Sequence, residues 1–144
     1  MASKLYGQFL SQALNKEIDW DTDTIKVALL TNSYTPDQDA HNYLDDVITN
    51  EVTGTGYTAG GATLANKTNT YTGASNVIVL DADDVTWSTS TITARYAVIY
   101  DASPATNATR PLIGYVDFGS DQSSSNGNFT ITWDATGIVR VTVA

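Results

Sequence analysis

The residues of this sequence with the most chemistry to offer are its acids, its one histidine and its aromatics. His41 is the single histidine, with Asp39 and Asp45 close by in the chain. A Ser-His-Asp triad needs the imidazole packed against a serine with an oriented carboxylate behind it, and no G-x-S-x-G elbow occurs. His41 therefore reads as a solvated surface residue. Asp19-Trp20-Asp21-Thr22-Asp23 opens like a calcium loop, but an EF-hand requires glycine sixth and glutamate twelfth, where Thr24 and Leu30 stand. Asp81-Ala82-Asp83-Asp84 is a second acidic run, and two such runs meeting in space would offer oxygen ligands to calcium. Acids in strand-connecting loops more often close turns by accepting backbone N–H bonds. Asp and Glu number 16 together, so carboxylate pairs at glycosidase spacing arise from abundance and carry no information. No Walker A loop, dinucleotide fingerprint or H-E-x-x-H occurs. The expectation is a non-enzyme with no catalytic residue, no cofactor and no metal site.

The aromatics divide by context. Trp87 and Trp133 fall at inward positions of apparent strands, where large rings usually fill a core. Trp20, Tyr34, Tyr43 and Tyr57 lie in loop-like surroundings rich in Gly and Asp, where exposed rings tend to mark contacts. These four are the expected partner surface. Trp20, Trp87 and Trp133 with the eight tyrosines offer the alternative, a sugar-stacking platform on a β-sandwich.

What must position these residues is one domain. The chain has 144 residues with 42% apolar and 10% aromatic content, enough for one sizeable core. Charged residues make up 16% against roughly 25% in ordinary globular chains, and Thr, Ser and Asn take the polar positions, which suits half-exposed strands. The net charge of −9 repels nucleic-acid backbones and anionic membrane surfaces, so neither is expected as partner. With no cysteine there is no disulfide, thiolate nucleophile or thiolate metal site. No stretch approaches the roughly 18 apolar residues of a membrane span, and no apolar h-region follows Lys4, so nothing directs export.

Along the chain, Leu5, Phe9 and Ala13 recur at helical spacing with Leu10 and Leu14 beside them, predicting an amphipathic helix within residues 1–15, N-capped by Ser3 and ending near Asn15. Thr24–Leu30 is a short branched run and predicts the first strand. Tyr34–Asn50 reads as an excursion with one helical turn, followed by a loop punctuated by Gly54, Gly56, Gly60 and Gly61. Turn signals then recur about every 8–12 residues, the spacing of a sandwich or barrel. Candidate strands are Thr63–Thr70, Asn76–Leu80, Val85–Trp87, Ile92–Tyr100, Leu112–Phe118, Asn128–Asp134 and Ile138–Val143. Alternation places Ala94, Tyr96, Val98 and Tyr100 on one face with Thr93, Arg95, Ala97 and Ile99 on the other, and turns Phe129, Ile131 and Trp133 inward. Asp134–Gly137 is expected to join the last two strands as a hairpin. The predicted fold is an all-β sandwich of jelly-roll or Greek-key type over 24–144 with one N-terminal amphipathic helix.

Several blocks resemble a family of small tailed-bacteriophage virion proteins: Lys4-Leu5-Tyr6 with Phe9, Ile18-Asp19, Asp23–Leu30, Tyr96–Tyr100, Pro111–Asp117 and Phe129–Asp134. The resemblance spans nearly the whole chain and rests on strand patterns, with no catalytic residue to carry over. In place of the Lys-Asp-Thr-Gly-like turn often found in such relatives, Asp101-Ala102-Ser103-Pro104 follows the aromatic strand. The resemblance implies a virion structural protein made in the host cytoplasm and placed on the capsid surface. There it would act as a decoration or cement protein bound to the major capsid protein; a protein bridging capsid subunits at local three-fold positions is expected to form a homotrimer on the particle, with weak or no trimerisation in free solution. A tail, collar or adaptor component, or a carbohydrate-binding module for the host surface, are the alternatives.

Overall fold

The computed structural model describes residues 2–143. Two antiparallel sheets carry the chain. The larger has five strands in the order β1 (Ala2–Leu5), β7 (Leu112–Ile131), β6 (Val85–Asp101), β2 (Ile25–Leu30), β3 (Ala62–Thr63). The smaller has three, β4 (Thr68–Thr72), β5 (Val77–Asp81) and β8 (Val139–Thr142). The fold is an all-β sandwich with one short helix near the N-terminus, and strands distant in sequence lie side by side: β1 with β7, β2 with β6, β5 with β8.

Strand β2 lies inside the larger sheet, between β6 and β3, and is apolar on both faces. Ile25, Val27 and Leu29 project into one core, and Ala28 and Leu30 into another. The first core lies between the sheets and adds Ala97, Ile99, Ile113, Val116, Leu80 and Val139, with Phe9 and Trp20 closing it. The second lies on the far side of the larger sheet, where Val98, Tyr100, Leu112 and Tyr115 are covered by Tyr6, Tyr34, Leu44 and Val47. The excursion after β2, which contains two short 3-10 turns at Leu44–Asp46 and Ile48–Asn50, is therefore a lid over a second buried face.

The N-terminus departs from its predicted helix. Residues Ala2–Leu5 are a strand, and only Phe9–Leu14 (α1) is helical, ending at Asn15 with Gln8 in place of Ser3 at its start. Consecutive side chains Leu5 and Tyr6 enter opposite cores, which an extended chain permits and a helix does not. Leu10 and Leu14, expected on the helix's packed side, are 49% and 78% exposed.

Three further corrections concern register. The segments expected as separate strands at Val85–Trp87 and Ile92–Tyr100 form one strand, as do Leu112–Phe118 and Asn128–Asp134 up to Ile131. Bulges at Trp87/Ser90 and Ala94/Tyr96 bend the pair without ending it. The bulge at Arg95 also reverses the alternation: Ala94 shares its face with Ala97 and Ile99, while Tyr96, Val98 and Tyr100 point the other way. Finally, β8 pairs with β5 and not with β7, so the expected terminal hairpin does not form. The turn ending at Gly137 instead carries the chain to the other sheet, at a place where a Cβ would lie 2.3 Å from Val79 Cγ1. Trp133 follows the end of β7 and is half-buried, its indole N–H donating to the Asp83 carbonyl, whereas Phe129, Ile131 and Trp87 are buried as expected.

Gly61 shows how closely the glycine loop is laid against β2. Its φ is +74°, and a Cβ there would stand 1.8 Å from the Val27 carbonyl oxygen. Gly61→Ala combines left-handed strain with a backbone clash, and is expected to lower the unfolding free energy in urea by about 3 kcal/mol or more. A loss below about 1 kcal/mol would mean that the loop lifts away from β2 at little cost.

Candidate partner interface

The two sheets are unequal, and their edges meet at an open seam. β1 ends the larger sheet and β8 ends the smaller, and both line one cleft of about 350 Å³. Its floor is apolar, from Leu5, Val116, Ile131 and Ile138, and its rims carry Ser3, Lys4, Trp133, Asp134 and Arg140. The Tyr6 N–H donates to the Ile113 carbonyl on β7, so by strand alternation the backbone groups of Ser3 and Leu5 face away from β7. They form an unpaired edge.

Two cations flank the seam of a strongly acidic chain. Among the described residues the one ion pair is Arg95–Asp117 at 2.8 Å, so Lys4 and Arg140, one on each edge strand and both exposed, have no carboxylate within bonding reach. The Asp134 carboxylate is committed elsewhere, accepting from the Thr136 N–H at 2.8 Å and hydroxyl at 2.6 Å. Those bonds hold its carboxyl below the usual carboxylate range, with a smaller contribution from Arg140.

The four aromatics expected as a partner surface do not share one. Trp20 is buried in the inter-sheet core, and Tyr34 is buried under the lid. The Tyr34 hydroxyl lies 2.7 Å from the Tyr6 hydroxyl and 3.1 Å from His41 Nδ1. His41 Nδ1 also accepts the Asp37 N–H at 3.3 Å. That leaves the nitrogen as an acceptor for Tyr34, and Tyr34 as an acceptor for Tyr6. Burial pushes the Tyr34 hydroxyl up to about 12 and Tyr6 further still. His41, expected as a solvated residue, is half-buried and serves to fasten the lid. Tyr57 is half-buried against Trp87, accepts the Leu29 N–H at 3.0 Å and donates to Glu51 at 2.7 Å. Tyr43 alone keeps a surface role, its hydroxyl donating to Glu17 Oε2 at 3.3 Å. Loop position in the sequence misled because these loops pack onto both sheet faces. The sequence masks the free edge of β1 because Leu5, Phe9 and Ala13 mimic a helical period.

The acidic runs stay apart. Asp19 accepts the Asp21 and Thr22 N–H groups, Asp23 accepts the Asp19 N–H, and the Lys67 ammonium donates to the Asp21 and Asp23 carbonyls. In the second run Asp83 accepts from Asn66 and Asp84 from the Trp133 N–H. Among the described residues no group of three or more metal-ligating side chains converges. The first run instead meets Asp101 at the end of β6. Asp101 is 1% exposed and accepts the Ser103 N–H at 2.8 Å through one oxygen. Burial, with help from Asp23, pushes its carboxyl up to about 6 against the pull of that hydrogen bond.

A carboxyl raised in the folded state binds its proton more tightly folded than unfolded. Its contribution to stability is therefore complete below the unfolded value and is lost as pH rises through about 6. Asp101→Asn mimics the protonated form at every pH. The variant is expected to match the wild type near pH 4 and to exceed it near pH 8 by on the order of 2 kcal/mol in urea unfolding. A variant less stable than wild type at pH 8 would mean that the ionised carboxylate is favourably held.

Comparison of the chain with protein-family models, with curated proteins and with solved structures finds no match. Its functional reading therefore rests on its own residues and on the seam they build.

Proposed function

We propose that this chain is a non-enzymatic structural protein of a tailed-bacteriophage virion, specifically a head decoration or cement protein that binds the major capsid protein. The observation that carries the reading is the open seam, where both sheets leave an edge strand unpaired beside an apolar floor. Edge strands left bare invite pairing with another chain. The strand blocks that resemble small virion proteins support the same reading, and so does the net charge of −9, which keeps an abundant protein soluble before assembly. The mechanism is mass action: a protein that binds the assembled, expanded shell and not its precursors stabilises the shell. Repetition over a lattice lets contacts of ordinary size accumulate, and local three-fold positions would gather the copies as trimers.

Counting copies in purified particles tests this. A number on the scale of the capsid subunits, located on the head, is the expected result, together with heads lacking the protein that open at lower temperature. A handful of copies confined to the tail or collar would overturn the head assignment. Retention of a specific glycan by the isolated chain would favour a host-surface binding module.

A further inference from the structure

We infer that the seam receives an extended, acidic strand from a partner protein, added to the free edge of β1 by backbone pairing. The inference deepens the proposal above, on which it rests for taking the partner to be another virion protein. The geometry specifies the guest. Ser3 and Leu5 offer outward N–H and C=O groups, whereas Lys4 faces β7 and the Tyr6 N–H donates to Ile113 on that strand. A strand docked there alternates its side chains between two environments. Those on the Leu5 side enter the cleft over Val116, Ile131 and Ile138, and must be apolar. Those on the Lys4 side stand beside an exposed ammonium that has no carboxylate within 4 Å among the described residues, and are best acidic. Arg140, with no carboxylate within 4 Å among the described residues, adds a second cation at the cleft.

The same charges argue against a second copy as occupant. Pairing β1 with β1 about a two-fold axis would oppose Lys4 to Lys4 or its near neighbours, and pairing β1 with β8 of another copy would bring Lys4 toward Arg140. Like charges across a strand pair are destabilising. The guest is therefore a different chain, with acids and apolar residues in alternation.

The test uses the full chain and blocked octapeptides of alternating glutamate and valine or alternating lysine and valine. Binding is followed by fluorescence anisotropy, and hydrogen exchange is read at individual amides. The acidic peptide is expected to bind and to slow exchange at Ser3 and Leu5 while leaving the Lys4 amide, already paired with β7, unchanged. Lys4→Glu should weaken it several-fold, up to about tenfold, and favour the basic peptide instead. Ser3→Pro removes an outward donor without breaking a ladder bond. It should abolish binding with the urea midpoint retained. Equal binding of the two peptides, no binding of either, or protection elsewhere than β1 would overturn the inference. Because no particle enters the experiment, its failure leaves the copy count on the head unaffected, and a tail location would leave the peptide result standing.

Discussion

Burial of the larger sheet on both faces is the constraint from which the rest of the structure follows. A sheet whose central strands carry apolar side chains in both directions needs two covers, and no single packed layer can supply them. Here the smaller sheet, α1 and Trp20 cover one face, while the segment from Thr31 to Asn50 folds back over the other with Tyr34, Leu44 and Val47. The second cover is a loop with little regular structure, so its polar backbone must be satisfied one group at a time. The Thr31 N–H reaches the Asn50 carbonyl, the Gly7 N–H reaches Gln38 and the Leu112 N–H reaches Asn42. The chain of hydroxyls from Tyr6 through Tyr34 to His41 then fixes the lid laterally.

This explains which parts of the fold were legible in the sequence. Composition and turn spacing disclose an all-β sandwich because they depend on local preference, and Ile25–Leu30 and Val77–Asp81 emerge close to their predicted bounds. Pairing is another matter. The Phe129–Trp133 and Ile138–Val143 runs look like a hairpin because a turn with glycine separates them, yet whether such a turn reverses a strand or transfers it to another sheet depends on what awaits it. Val79 and Leu80 await Gly137 here. The bulge at Arg95 is equally hidden. Arg95 there pairs with Asp117 on the neighbouring strand, a partner 22 residues away that local pattern does not disclose.

The candidate site was less legible still, for a related reason. Residue type can say that Trp20 and Tyr34 sit in loops, but burial is a property of what the loop lies upon. With two apolar faces to cover, the loops here take the aromatics inward. What they leave outside is polar and sparsely charged. Asp101 shows the consequence: a carboxyl caught at the junction of the acidic turn and the end of β6, with one buried oxygen lacking a partner among the described residues, is harder to ionise than a solvated one.

The seam is the remainder of the same arithmetic of layers. Three strands cannot roof five, and the six-residue helix is too short to close what is left. β1 pairs with β7 on one side only, so its outer edge stays bare. Natural edges of this kind are often guarded by a charged side chain, lysine above all, which discourages identical chains from pairing. Lys4 occupies that position. A guard of fixed sign is also a filter: it repels copies of the chain, whose β1 and β8 carry the same charge, and it admits a strand that brings the opposite one. Resistance to self-pairing and selection of the proposed partner thus turn on one exposed ammonium, placed where the larger sheet runs out of neighbours.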